Sequence, residues 1–150
     1  MQNRDMQRAG YRYVPHTADV AFVAYGRSVG ETIENAAAAL LGVMLDTGAI
    51  RKSGGRRSSL RISERAQSMD SLVWYALQSI VSKVDERKLH AYAFRVDKLE
   101  TGREFGLSGR LLCAKSSGNP FMLEVKAVTP HGLNMKRTAN GYRVSVLVDV

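Results

Sequence analysis

The sequence predicts an α+β fold: a two-layer sandwich with two main helices packed on one face of a mixed, mostly antiparallel sheet. Three observations carry this. Two stretches repeat apolar residues at helical spacing, several others are short and β-branched or alternate apolar with polar residues, and an Asn-Gly pair joins two of the latter. With 45% apolar and 24% charged residues, the 150-residue chain has the balance of a single globular domain able to bury a core. We assign that domain to residues 11–150 and a flexible basic tail to residues 1–10.

Taken in order, "YRYVPH" reads as a strand whose proline favours an edge or a strand end. "VAFVAYG" reads as a second strand closed by Gly26. Ser28 and Glu31 then have the spacing of a capping box, which satisfies orphan N–H groups at a helix start. Ile33, Ala36, Ala37, Leu40, Leu41 and Met44 follow as one apolar stripe. "DTGAIRKSGGRRSS" should break the helix and form a basic loop, with "SLRIS" a short strand behind it. A second helix should start around Ser68 to Asp70 and bury Leu72, Ala76, Ile80 and Val84. "AYAFRVDKLE" and "EFGLSGRLLCA" are expected as strands separated by Thr101-Gly102, and "KSSGNP" as a turn.

The last third is the most patterned. "MLEVKAV" alternates, which places Leu123, Val125 and Ala127 on one face of a strand and Glu124 and Lys126 on the other. Asn140-Gly141 signals a two-residue type I′ hairpin. In that register Ala139 faces Tyr142, Met135 faces Val146 and Leu133 faces Val148; at the far end Gly132 meets Asp149 and His131 meets Val150.

The net charge of +8 is concentrated. Residues 1–12 contribute +2 and "RKSGGRR" contributes +4, both in segments expected to be mobile rather than folded. Such segments suit an RNA-rich or acidic partner, or serve solubility alone. No basic stripe interleaved with aromatics is legible on the folded surface. Cys113 is the only cysteine, which rules out a disulfide framework and a cysteine-based zinc cluster and suits a reducing cytosol. There is no long apolar run to span a membrane and no secretory leader.

Chemistry gathers at the chain end. In "VSVLVDV" the valines alternate toward one face, so Asp149 points to the other, close to the α-carboxylate of Val150. Two such anions repel unless a cation or a proton relieves them. Oxygen donors suit calcium, magnesium or manganese, and a third carboxylate from another strand would complete the set; a solvated, frayed terminus is the alternative. His16 and His131 read equally as structural residues, Asp19 as a turn cap and Lys126 as a solvated side chain. No nucleophile triad and no phosphate-binding glycine loop is present.

At these residues a resemblance enters. "HTADVAFVAYG", "ETIENAAAALLGVMLD", "EVKAVTPHGL" and the terminal "VLVDV" occur in the order typical of the archease family, and the chain resembles that family over nearly all of its length beyond the tail. It departs at Pro130, where many members have an aromatic residue, and at Gln78 and Ser79, where an acidic residue is usual. The resemblance implies a cytoplasmic, non-enzymatic protein cofactor of the RtcB-type RNA ligase. Such a factor promotes ligase guanylylation and multiple turnover in tRNA splicing or RNA repair. It also implies a divalent cation, calcium with magnesium or manganese as alternatives, held by Asp19, Asp149 and Val150, with His16 and His131 supporting the ligands from behind. Lys126 is the residue implied to act on the ligase, and any RNA contact would be indirect. Two readings of other classes stand beside it: an RNA-binding module using the basic tail and loop, and a metal-dependent hydrolase with His16 or His131 as base.

Overall fold

The computed structural model describes residues 10–15 and 19–150; the expected tail, residues 1–10, lies outside them except for Gly10, and His16 lies outside them as well. Strand β1 (Tyr11–Val14) and strand β2 (Val20–Gly26) form first, and β1 is an edge strand as its proline suggests. Helix α1 (Val29–Met44) starts where the capping signal places it: Ser28 Oγ accepts from the Glu31 N–H at 3.1 Å. The reciprocal contact reaches one residue further back than a standard capping box, because Glu31 Oε1 accepts from the Arg27 N–H at 3.0 Å. Buried Thr32 donates its hydroxyl to the Ser28 carbonyl at 2.8 Å, so its polar atom is satisfied within the first turn.

The expected basic loop is only partly a loop. Asp46 Oδ1 accepts from the Ala49 N–H and starts a short helix, α2 (Thr47–Lys52), which buries Ile50. Strand β3 (Arg57–Ala66) is ten residues long rather than the five of "SLRIS" and takes in the end of the basic run. Arg51 and Arg57 both lie over the Tyr92 ring, each guanidinium carbon 5.1 Å from its centroid. These cations are therefore held in folded structure instead of swinging on a tether.

Helix α3 (Met69–Arg87) is capped by Ser68, whose Oγ accepts from the Ser71 N–H at 3.1 Å, and it buries the whole expected stripe. It ends with Lys88 in the left-handed conformation (φ 51°), which lets the Leu89 N–H reach back to the Val84 carbonyl. Strands β4 (Ala91–Glu100) and β5 (Phe105–Ala114) form a hairpin, and β6 (Ala127–Thr138) and β7 (Gly141–Asp149) close the chain.

The α+β class holds, with every strand pair antiparallel and the strands divided between two sheets, β1-β2-β7-β6 and β3-β5-β4. The helices join them. Helix α1 packs on β2 of one sheet and β4 of the other, and α3 packs on β6 and β3. Phe22, Ile33, Leu40, Leu41, Leu72 and Phe94 are fully buried in one core cluster, and each such side chain contributes about 1.5–3 kcal/mol. Among the described residues no helix is long and apolar enough to cross a membrane.

A basic face also emerges that sequence order conceals. The registers set Arg61 opposite Arg110 and Arg110 opposite Arg95, three arginines abreast on the outer side of the smaller sheet with Tyr92 nearby. They come from three separated segments, so no single stretch shows the stripe.

Candidate functional site

The terminal hairpin decides which residues meet. Its register differs from the expected one by two residues: Thr138 pairs with Gly141 and Met135 with Val144. The turn is Ala139-Asn140, and neither residue has positive φ, so it is not type I′. Gly141 comes so close to the Gly26 carbonyl that a Cβ there would clash, which explains why the glycine sits in the strand instead of the turn. A shift of two preserves the faces, and Val144, Val146 and Val148 point into the core as expected.

Further along, β6 bulges. Between the pairs Asn134–Ser145 and Thr129–Leu147, four residues of β6 (130–133) face Val146 alone. Pro130 has no N–H to donate and Gly132 sits at φ +78°, so the ladder breaks there. As a result Asp149 pairs with Ala127, not with Gly132, and His131 does not face Val150. His131 is exposed within the bulge. The segment read as the strand "MLEVKAV" is irregular up to Lys126, and Leu123 is exposed while Val125 is buried.

The new register brings the candidate residues to one end of the larger sheet. Strand β2 pairs Val20 with Val148, and carrying that register one residue further sets Asp19 alongside Asp149. On the other flank the Lys126 N–H donates to the Asp149 carbonyl at 2.8 Å, which makes Lys126 the residue that continues the ladder toward Val150. Asp149 is exposed and Asp19 half-buried, whereas Val148 between the layers is buried. Val150 packs its side chain against the core, which ties down the last residue and counts against fraying. Asp19 also takes part in an interaction of its own. Among the described residues no three His, Cys, Asp or Glu side chains cluster, so a cation here would need the α-carboxylate of Val150 beside Asp19 and Asp149. Those three groups are all hard oxygen donors, the set that suits calcium, magnesium or manganese.

Helix α3 braces this end from inside. Trp74 Nε1 donates to the Val128 carbonyl at 2.6 Å, and Gln78 Oε1 accepts from the Val128 N–H at 2.8 Å. One turn earlier, Asp70 Oδ1 accepts from the Met135 N–H at 2.9 Å on the far side of the bulge. Because β6 is the edge strand of its sheet, these contacts satisfy backbone groups on the side of it that no strand pairs. Sequence reading missed them; the signal was a Trp and a Gln four residues apart, flanking the apolar stripe on one helix face. The Gln78 amide oxygen is an acceptor as a carboxylate would be, but carries no charge.

A model described as the Archease protein family (MTH1598/TM1083) matches residues 11–150. The chain belongs to the archease family. Among its archease relatives, protein archease of Methanosarcina acetivorans is 34% identical, with 93% of this chain and 95% of that protein covered. Protein archease of Archaeoglobus fulgidus is 29% identical, with 93% and 98% covered. The solution structure of Methanobacterium thermoautotrophicum protein 1598 superposes with a TM-score of 0.77 at 25% identity, covering 95% of this chain and 99% of that one. The crystal structure of an archease, possible chaperone, from Thermotoga maritima has a TM-score of 0.51 at 18% identity over 93% of this chain and 96% of that one, and shares the fold.

Proposed function

We propose that this archease is a non-enzymatic cytoplasmic activator of an RtcB-type RNA ligase, promoting its guanylylation and multiple turnover in tRNA splicing or RNA repair. What supports the reading is the register of the terminal strand: extended one residue past Val20–Val148 it sets Asp19 beside Asp149, while the Lys126 N–H bonds to the Asp149 carbonyl on the other flank. Family membership supports it.

Asp19, Asp149 and the Val150 carboxylate would hold a divalent cation, calcium first, with magnesium or manganese as alternatives. The ion would supply positive charge that relieves the repulsion among these anions. The chain's own residues do the rest. Val150 anchors the terminus through its packed side chain, and the Asp149 carbonyl holds the Lys126 backbone. The exposed Lys126 ammonium, a compact charge on a flexible stem, is then free to meet a phosphate or carboxylate in the ligase. Activation is limited by how much more tightly the protein binds the guanylylation-competent ligase conformation than the other.

The test is guanylylation of a cognate RtcB-type ligase with GTP and manganese, with and without this protein. Stimulation by the wild-type chain and its loss in Asp149→Ala supports the reading; full stimulation by Asp149→Ala overturns it.

A further inference from the structure

The smaller sheet leaves one face uncovered, and arginine dominates it. On β3 the outward alternate positions are Arg57, Ser59, Arg61, Ser63 and Arg65, and Arg57 to Arg65 spans roughly 27 Å at strand rise. Arg61, Arg110 and Arg95 lie directly abreast, on strands about 4.8 Å apart. Like charges directly opposed in a sheet destabilise it. One carboxylate answers the row: Asp97 takes Arg110 in a bidentate pair, with Nε–Oδ2 and Nη2–Oδ1 both at 2.9 Å. Arg61 donates to the Ser108 hydroxyl at 3.3 Å and Arg95 to the Phe94 carbonyl at 3.4 Å, and neither makes an ion pair among the described residues.

The next row is Ser63, Ser108 and Lys98, and with Glu64, Arg65 and Glu100 it lines a shallow depression of about 470 Å³, where Glu100 pairs with Arg65 and Lys98. Of the two rows, the one before it therefore holds the cations without an ion pair among the described residues. At the opposite end of the face, the Tyr92 ring carries the Arg51 and Arg57 guanidiniums. The face thus offers forked donors, hydroxyls between them and a flat stacking surface at one edge. Guanidiniums match phosphate oxygens in pairs, and aromatic and guanidinium planes stack on bases of any identity. A folded protein partner would call for an apolar centre. The exposed large apolar side chains, Tyr13, Tyr75 and Phe121 to Leu123, lie on β1, on α3 and in the segment after β5, off this face.

We propose that this face binds single-stranded RNA through its phosphate backbone. The choice of RNA over other single-stranded polyanions rests on the activator reading above; the anion site itself does not.

The experiment is fluorescence anisotropy of a labelled oligouridylate of about twelve nucleotides, within the range of single-strand sites, titrated with the full chain over a salt series and without ligase. Affinity should fall with salt, with a log–log slope of about −0.7 per neutralised phosphate. Arg61→Glu with Arg95→Glu should weaken binding about tenfold or more and flatten that slope by about 0.7 per lost contact. The milder Arg61→Gln with Arg95→Gln, checked for an unchanged thermal midpoint, should act in the same direction. Lys136→Glu with Arg143→Glu, a charge change of equal size on the other sheet, should bind as wild type. Salt-independent binding, or wild-type affinity in both arginine variants, overturns the inference. Equal affinity for oligodeoxyuridylate overturns the choice of RNA while supporting the anion site. If the arginine variants keep RNA affinity but fail to stimulate RNA-free ligase guanylylation, the face belongs to the ligase and the inference falls. RNA binding by a wild-type chain that does not stimulate guanylylation leaves the inference standing and sinks the activator reading instead.

Discussion

The Lys126 N–H donates to the Asp149 carbonyl at 2.8 Å, so the lysine's backbone is fixed to the terminal strand while its side chain stays exposed. Any substitution except proline keeps that donor. Lys126→Ala should therefore retain the wild-type thermal midpoint yet lose stimulation of ligase guanylylation. A hydrogen bond to a charged group is worth about 1.5–3 kcal/mol, so the loss should be on the order of ten- to a hundredfold. Guanylylation rates and melting curves on the same preparations check both halves.

Cation binding at Asp19, Asp149 and the chain end predicts a ligand-dependent thermal shift. Calcium at a hundred times its dissociation constant should add about 2.7 kcal/mol of stability to the wild type. Chelator should reverse the shift, and Asp149→Asn should abolish it. A shift of equal size in Asp149→Asn places the ion elsewhere. Scanning fluorimetry over a calcium titration measures it.

Trp74 and Gln78 satisfy both backbone groups of buried Val128. Trp74→Phe or Gln78→Met should each leave one of them unpaired, at a cost of about 1–3 kcal/mol. For a chain of this size that is a fall of roughly 2–4 °C per kcal/mol in thermal midpoint. Hydrogen exchange should quicken at Val128 in Gln78→Met, since that variant removes the acceptor for its amide.

Acid should weaken the smaller sheet through two of its carboxylates. The Arg110 guanidinium beside Asp97 holds its carboxyl below the ordinary 3.8, and Lys98 with Arg65 does the same for Glu100 below 4.5. A carboxyl depressed in the folded state contributes stability above its unfolded value and loses it as pH falls through the folded one. The thermal midpoint should thus decline below about pH 4, and Asp97→Asn should flatten that decline. Both carboxylates are exposed, so the effect should shrink in high salt.

Much of the fold was legible because its signals are local. Ser28 and Ser68 cap the two long helices where the spacing places them, and their apolar stripes are buried as read. Strands β2 and β4 have the expected limits. What escaped depends on partners distant in sequence. The Asn140-Gly141 rule failed because Gly141 is needed where the chain passes the Gly26 carbonyl, a contact that exists only after folding. The bulge at Pro130 was invisible to face-matching, since apolar residues lie on both sides of it. Asp149 and Val150 were singled out from alternation alone, whereas their neighbour Lys126 follows from a register that the bulge resets. The arginine row needed two strand registers at once.

That bulge has a consequence for how the protein tolerates change. Inward-facing residues of β6 are odd-numbered at Leu133 and Met135 but even-numbered at Val128, so the two halves of the strand are out of phase. The exposed stretch from Pro130 to Gly132 works as a slip joint. A residue gained or lost there is absorbed locally, while the same change in β7 would turn one row of valines outward and carry Asp149 away from Asp19. Length variation among natural variants should accordingly be admitted at the joint and refused in the terminal strand.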